Sequence, residues 1–227
     1  MLQCTNLTKC YKKKTVVDNL SFQVRSGEVF ALLGSNGAGK TTTIKMILGL
    51  VKADKGSVTM QEHIRIGYSP DTPYFPHFLT GREALEYYAA IGNAEKSKRD
   101  DEIKTLLKLV GLQDDKTKVR SYSKGMLQRL SVAQALLDNP DLLFLDEPTA
   151  GLDALGRIEI IRLIGRLQES GKTIILNSHI LSDIEQVCSR GLIMDKGRLL
   201  GTWEKHADNH GKSLQDIFLE LVGGVEE

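Results

Sequence analysis

The chain has 227 residues, 41% hydrophobic and 26% charged, an ordinary globular composition that fits one large domain or two small ones. Lys and Arg number 30 against 29 Asp and Glu, so the formal charge of +1 creates no long-range pull toward nucleic acid or an anionic membrane. No apolar run approaches the roughly 18 residues a membrane-spanning helix needs, since charges interrupt even LLFLDEP and TIILNSHIL. The opening MLQCTNLTKCYKKK carries no apolar stretch, so no signal peptide is expected. The three cysteines, Cys4, Cys10 and Cys188, follow no metal or redox spacing and are expected as free thiols.

In chain order, Leu2 to Phe30 alternates as short strands do, with a turn at Arg25-Ser26-Gly27. The run Lys12-Lys13-Lys14 is too short for a nucleic-acid patch and is expected as a solvated turn. Glu28 to Leu33 reads as a buried strand, followed by a glycine-rich turn and a helix over Lys40 to Leu50. Short strands return over Gly56 to Tyr68.

From Thr80 to about Leu137 the pattern is helical. Ala84, Leu85, Tyr88 and Ala89 share one face; Ile103, Leu106, Leu107 and Val110 share another, and Gly111 stops that helix. A third helix begins at Ser123. Leu142 to Leu145 reads as a buried strand, followed by a helix near Leu155 to Glu169, a strand at Thr173 to Leu176, a helix near Leu181 to Cys188 and a strand at Gly191 to Asp195. The last helix, about residues 213–222, is capped by Ser213, and Leu214, Ile217, Phe218 and Leu221 form its apolar stripe, expected to pack on the core. The element order predicts an α/β core interrupted over about residues 72–136 by a helical insertion.

Gly34-Ser35-Asn36-Gly37-Ala38-Gly39-Lys40-Thr41 fits G-x-x-x-x-G-K-[ST] between a buried strand and a helix. Glycines at such positions adopt backbone angles closed to other residues and turn N–H groups inward toward phosphate oxygens. Lys40 adds a charge for the β- and γ-phosphates and Thr41 a hydroxyl for Mg²⁺, with Thr42 the next residue of the ATP site. These residues predict binding of ATP.

The apolar strand Leu142 to Leu145 ends in Asp146-Glu147, at the end of the strand where α/β folds bind ligands. Asp146 is placed to hold Mg²⁺ through its water shell. By the alternation of the pleat Glu147 faces the other way, toward an attacking water that it can orient or deprotonate. His179 sits by the same logic after the strand TIILNS.

Tyr122-Ser123-Lys124-Gly125-Met126-Leu127-Gln128-Arg129 resembles the LSGGQ signature of ATP-binding cassette (ABC) ATPases. With it the other motifs fall into that family's order. The phosphate loop matches the Walker A motif and Leu142 to Asp146 the Walker B. Glu147 matches the catalytic glutamate, Ala150-Gly151-Leu152-Asp153 the D-loop, His179 the switch histidine and Tyr11 an aromatic that stacks on adenine. The resemblance implies two cassettes paired head to tail, each ATP lying between one chain's phosphate loop and the other's signature, where Ser123, Lys124 and Gly125 act in trans. It implies the family's fold, an α/β P-loop NTPase core with an N-terminal antiparallel β-subdomain and an inserted helical subdomain, with the 227 residues as a single nucleotide-binding domain, and it implies Mg²⁺-dependent ATP hydrolysis.

Two departures stand out. Lys124 and Met126 replace a glycine and the glutamine of the signature, and Asp71, after Ile66-Gly67-Tyr68-Ser69-Pro70, stands where the Q-loop has glutamine. Asp71 is expected to reach the metal through a water. The motifs look most like those of bacterial cassettes serving two-subunit (ABC-2 type) exporters. That implies a second cassette subunit, most simply another copy, an integral membrane permease, and a place on the cytoplasmic face of the cell membrane. Phe75, Phe78 and Leu79 are either contacts for that permease or core of the helical insertion. No nucleic-acid partner is expected, and no long regulatory extension after the Ser213 helix. The alternative is a soluble cassette acting on ribosomes or nucleic acid.

Overall fold

The computed structural model describes residues 1–91, 96–205, 207 and 212–223. Its contacts divide the chain into two compact units, residues 1–63 with 173–227, and residues 64–172.

The first unit holds two sheets. Strands β1 (Leu2–Tyr11) and β2 (Lys14–Val24) form an antiparallel hairpin, and β4 (Lys55–Met60) joins the free edge of β1 antiparallel. The expected short strands before Phe30 are therefore two long ones, bent by register shifts and by Asn6 and Asn19 at positive φ. The lysine run supplies their turn, with Lys12 at φ 56. Buried Leu2, Leu7, Val17, Leu20 and Val24 line the inner face.

In the second sheet, β3 (Val29–Gly34) lies parallel between β7 (Thr173–Ser178) and β8 (Arg190–Asp195), and β9 (Arg198–Glu204) pairs antiparallel with β8. Every residue of β3 is buried, which is why its sequence is a continuous apolar run rather than an alternation. Helix α1 (Lys40–Ile47) follows β3, and α6 (Leu181–Val187) follows β7. The last helix, α7 (Leu214–Gly223), packs on the sheet as its stripe predicts. Leu214 is buried, and Leu221 lies against Gly201 of β9, where a Cβ would meet its Cδ1 at 2.7 Å.

The second unit contains β5 (Ile66–Ser69) parallel to β6 (Leu142–Asp146), with α2 (Gly81–Ile91), α3 (Lys96–Leu109) and α4 (Lys124–Ala135) between them and α5 (Ala154–Glu169) after β6. The helical stretch expected over residues 72–136 lies wholly inside this unit. Ala84, Leu85 and Ala89 of α2 and Ile103, Leu106 and Leu107 of α3 are buried, as their spacing requires, and Gly111, just past the end of α3, takes the left-handed φ of 70 that stops the helix. Arg82 ties the helices together through ion pairs to Asp100 (2.5 Å) and Asp114, and its guanidinium holds Asp114 below the usual carboxylate range.

Candidate functional site

In the first unit the phosphate loop leaves the end of β3 and enters α1. Gly34, Gly37 and Gly39 have φ of 156, 84 and 101, and Gly39 is the left-handed cap of the helix. A Cβ at Gly39 would stand 2.5 Å from the Val16 carbonyl oxygen and 3.2 Å from Val17 Cγ2, whereas one at Gly37 would meet nothing within 4 Å. The loop thus rests against β2 on one side and is open on the other. Gly39→Ala combines left-handed strain of about 1–2 kcal/mol with a backbone clash, so its thermal midpoint is expected to fall by several degrees. An unchanged midpoint in a calorimetric scan would contradict that packing.

Lys40 is buried, and its Nζ donates to the carbonyl oxygens of Gly34 (2.8 Å) and Ser35 (3.1 Å). Ser35, Asn36 and Gly37 form the exposed lip; Ala38 and Gly39 are buried, and Thr41 and Thr42 half-buried. A buried ammonium curled under a loop of glycines is a fitting cradle for phosphate, since anions are favoured where backbone N–H groups and a helix N-terminus converge.

The residues that brace this loop lie far from it in the chain. The Ser35 hydroxyl donates to the Asp195 carboxylate at 3.0 Å, and the Gly197 N–H donates to the Ala38 carbonyl at 3.1 Å. The Asp18 N–H in turn donates to the Gly197 carbonyl at 2.8 Å. The turn between β8 and β9 therefore clamps the loop to β2.

His179 lies just past β7, exposed. The register pairs Ser178 with Leu33, so His179 and Gly34 leave the sheet side by side. Tyr11 ends β1 and is 46% exposed, with Lys9 Nζ 5.4 Å from its ring centroid.

In the second unit Asp146 closes β6 and is buried. Glu147 lies beyond the strand with φ 52, so the pleat does not set its direction; a left-handed backbone immediately before Pro148 does. Strain of this kind is typical of functional positions. The Tyr68 hydroxyl hydrogen-bonds to Asp146, and burial, the Asp146 charge and nearby Asp71 push the phenol up to about 12. Asp71 is exposed.

Ser123 caps α4, its Oγ accepting from the Met126 N–H at 3.2 Å, and Asp153 caps α5 by accepting from the Gly156 N–H at 2.7 Å. Lys124 is exposed, and its alkyl chain lies along Gly151, where a Cβ would meet its Cε at 3.2 Å. Gly125 faces Leu152, 3.6 Å from where its Cβ would be. The signature and the D-loop are thus in direct contact within this unit. A cavity of about 670 Å³ lined by Lys108, Arg129, Ile160 and Arg166 contains none of the predicted site residues.

Of the three apolar residues left open above, Phe75 is buried edge-on against Tyr88, ring centroids 5.8 Å apart, whereas Phe78 is 73% exposed and Leu79 half-buried.

The Thr41 hydroxyl and the Asp146 carboxylate are oxygen donors of the kind Mg²⁺ takes. Among the described residues no group of three or more His, Cys, Asp or Glu side chains could hold a metal ion. Mg²⁺ needs no such cage, because it keeps its waters and takes one or two protein oxygens beside substrate phosphates.

Strand, glycine loop, buried lysine and helix together define an α/β protein of the phosphate-loop nucleotide-binding class. Residues 17–150 match the ABC transporter family, and the chain belongs to that family. It is 46% identical over 192 residues to the ABC transporter ATP-binding protein sll0415 of Synechocystis sp., covering 80% of this chain and 54% of that one. The chain therefore spans little more than half of that relative's length. It is 43% identical over 233 residues to the bacitracin transport ATP-binding protein BcrA of Bacillus licheniformis, covering 97% of this chain and 74% of that one. A solved ATP-binding subunit of an ABC transporter superposes with a TM-score of 0.87 at 28% identity, covering 98% of this chain and 99% of that one.

Proposed function

We propose that the chain binds Mg-ATP, hydrolyses it as one half of a head-to-tail pair, and powers export through a separate integral membrane permease. The observation that carries the reading is the braced phosphate loop with buried Lys40 beneath it. In this reading Ser35 to Thr42 surround the phosphates; Thr41 and Asp146 would hold Mg²⁺, with Asp71 as a more distant, water-mediated ligand, and the ion would supply charge neutralisation at the phosphate oxygens. Glu147 takes the proton of the attacking water, and His179 orients the γ-phosphate.

Each chain brings one phosphate loop and one signature, so a complete site calls for a second copy. Ser123, Lys124 and Gly125 then present the start of a 12-residue helix to the partner's γ-phosphate, with Asp153 beside them. Leu155 and Ile158, exposed one turn apart on α5, offer apolar surface for that pairing.

A membrane partner is supported by the aromatic surface around the start of the helical stretch. Tyr74, Phe78, Tyr87 and Ile91 are all more than half exposed, and the Tyr88 hydroxyl donates to the Tyr74 carbonyl. Exposed aromatics at this density mark binding surfaces. Among the described residues no helix is long and apolar enough to cross a membrane, so in this reading the spanning helices belong to another chain and this one sits at the cytoplasmic face. BcrA, a transport ATP-binding protein by name, points the same way.

The test is to tag the chain in its native host, solubilise membranes gently and identify what co-purifies. A polytopic membrane protein at equal stoichiometry is expected. Recovery only with ribosomes or nucleic acid would replace the transport reading with that of a soluble cassette, leaving the ATPase proposal standing.

Adenine stacking on Tyr11 is tested separately. Tyr11→Ala is expected to weaken ATP binding by about 1–3 kcal/mol, as loss of an aromatic platform does elsewhere. Equal affinity of variant and native chain by fluorescence titration would remove Tyr11 from the site.

A further inference from the structure

We infer that Tyr68 is a positioning residue for the cation, acting through Asp146. The inference rests on the proposed Mg-ATP site and gives a role in it to a residue that none of the motif assignments above uses.

The geometry follows from strand register. β5 and β6 run parallel with Tyr68 opposite Phe144, and partners in register point to the same face of a sheet. Asp146 is two residues beyond Phe144, hence on that same face, about 6–7 Å farther along the strand. This is about the reach of a tyrosine side chain, and the Tyr68 hydroxyl hydrogen-bonds to the Asp146 carboxylate. A carboxylate can only accept, so the phenol donates.

Packing alone does not call for tyrosine here. A phenylalanine would fill the same half-buried position beside β6 without bringing a hydroxyl that must be satisfied. Asp146 is buried at the end of its strand, where a carboxylate free to rotate would present either oxygen in several directions. The phenol fixes one carboxylate oxygen and leaves the other turned to a definite side. Asp71, the other acidic group assigned to the cation in this unit, adds its charge to those that raise the phenol. Partners that orient a ligating carboxylate typically account for 10–100-fold in metal affinity.

The test compares Tyr68→Phe with the native chain in a titration of a fluorescent ATP analogue, once with EDTA and once with increasing Mg²⁺. Mn²⁺ binding in the presence of a non-hydrolysable analogue, read by electron paramagnetic resonance, serves as a second readout. The variant is expected to need about 10-fold more cation to reach half of the metal-dependent binding, while its affinity in EDTA is unchanged. A thermal scan without nucleotide is expected to show the variant folded. An unchanged cation midpoint would overturn the inference, and so would an equal loss with and without metal, since a purely structural role predicts that. A native chain whose nucleotide binding ignores Mg²⁺ would instead overturn the underlying site, and the inference with it.

Discussion

Glu147→Gln is expected to lower ATP hydrolysis by about 10²–10⁴-fold, the range spanned by removal of a general base, while leaving ATP binding nearly unchanged. Glutamine matches glutamate in shape but cannot take a proton from water. The backbone at this position makes the comparison clean. Glu147 is held at φ 52 directly before Pro148, and glutamine bears the same left-handed strain, so the fold is not altered. Slow hydrolysis with intact binding should also hold the ATP-bound pair together. Size-exclusion chromatography in Mg-ATP is expected to show the variant as a dimer. Glu147→Gly separates strain from chemistry: it relaxes the backbone, so it should be equally inactive yet no less stable. Hydrolysis by Glu147→Gln within a few-fold of the native rate would assign the base to another residue.

Lys40→Ala is expected to abolish measurable nucleotide binding. Its ammonium is buried with the Gly34 and Ser35 carbonyls as partners, and hydrogen bonds to charged groups contribute roughly 1.5–3 kcal/mol each. Losing even two such bonds to phosphate corresponds to a factor of about 10²–10⁴ in affinity. The truncation also leaves two loop carbonyls without this donor, so the empty protein should itself be less stable. Lys40→Arg keeps the charge but brings a planar fork too bulky for the cradle, and should recover little. Isothermal titration with ATP decides the matter; affinity within 10-fold of native would mean that the loop does not bind phosphate through Lys40.

The parts of this molecule that were legible from sequence are those whose physics is local. The phosphate loop is written in consecutive residues, because glycine angles, a lysine and a hydroxyl are needed within one turn. β3 was legible because all its residues are buried, and α3 because Ile103, Leu106 and Leu107 recur at helical spacing. β9 was missed: its burial is slight and irregular apart from Trp203, so Arg198 to Glu204 carries no clean period, and only pairing with β8 makes it a strand. That pairing creates the turn whose Asp195 and Gly197 clamp the loop, and Asp195 is 160 residues from Ser35 in sequence. The pleat argument for Glu147 failed because the strand ends one residue earlier, and alternation does not extend into a left-handed residue. Tyr68 looked like one more strand residue because its meaning depends on cross-strand register. Spacing could not decide between Phe75 and Phe78 either, since both lie in a loop without period. The Tyr88 ring decides it by covering one of them.

Whether this chain hydrolyses ATP with Glu147 as base is read most directly from phosphate release by the purified chain, in Mg²⁺ and in EDTA, with Glu147→Gln as the blank. Release is expected to require Mg²⁺ and to fall to the blank in the variant. Release undiminished in Glu147→Gln, or none from a native chain that binds Mg-ATP and pairs, would remove Glu147 as the base or ATP hydrolysis as the activity.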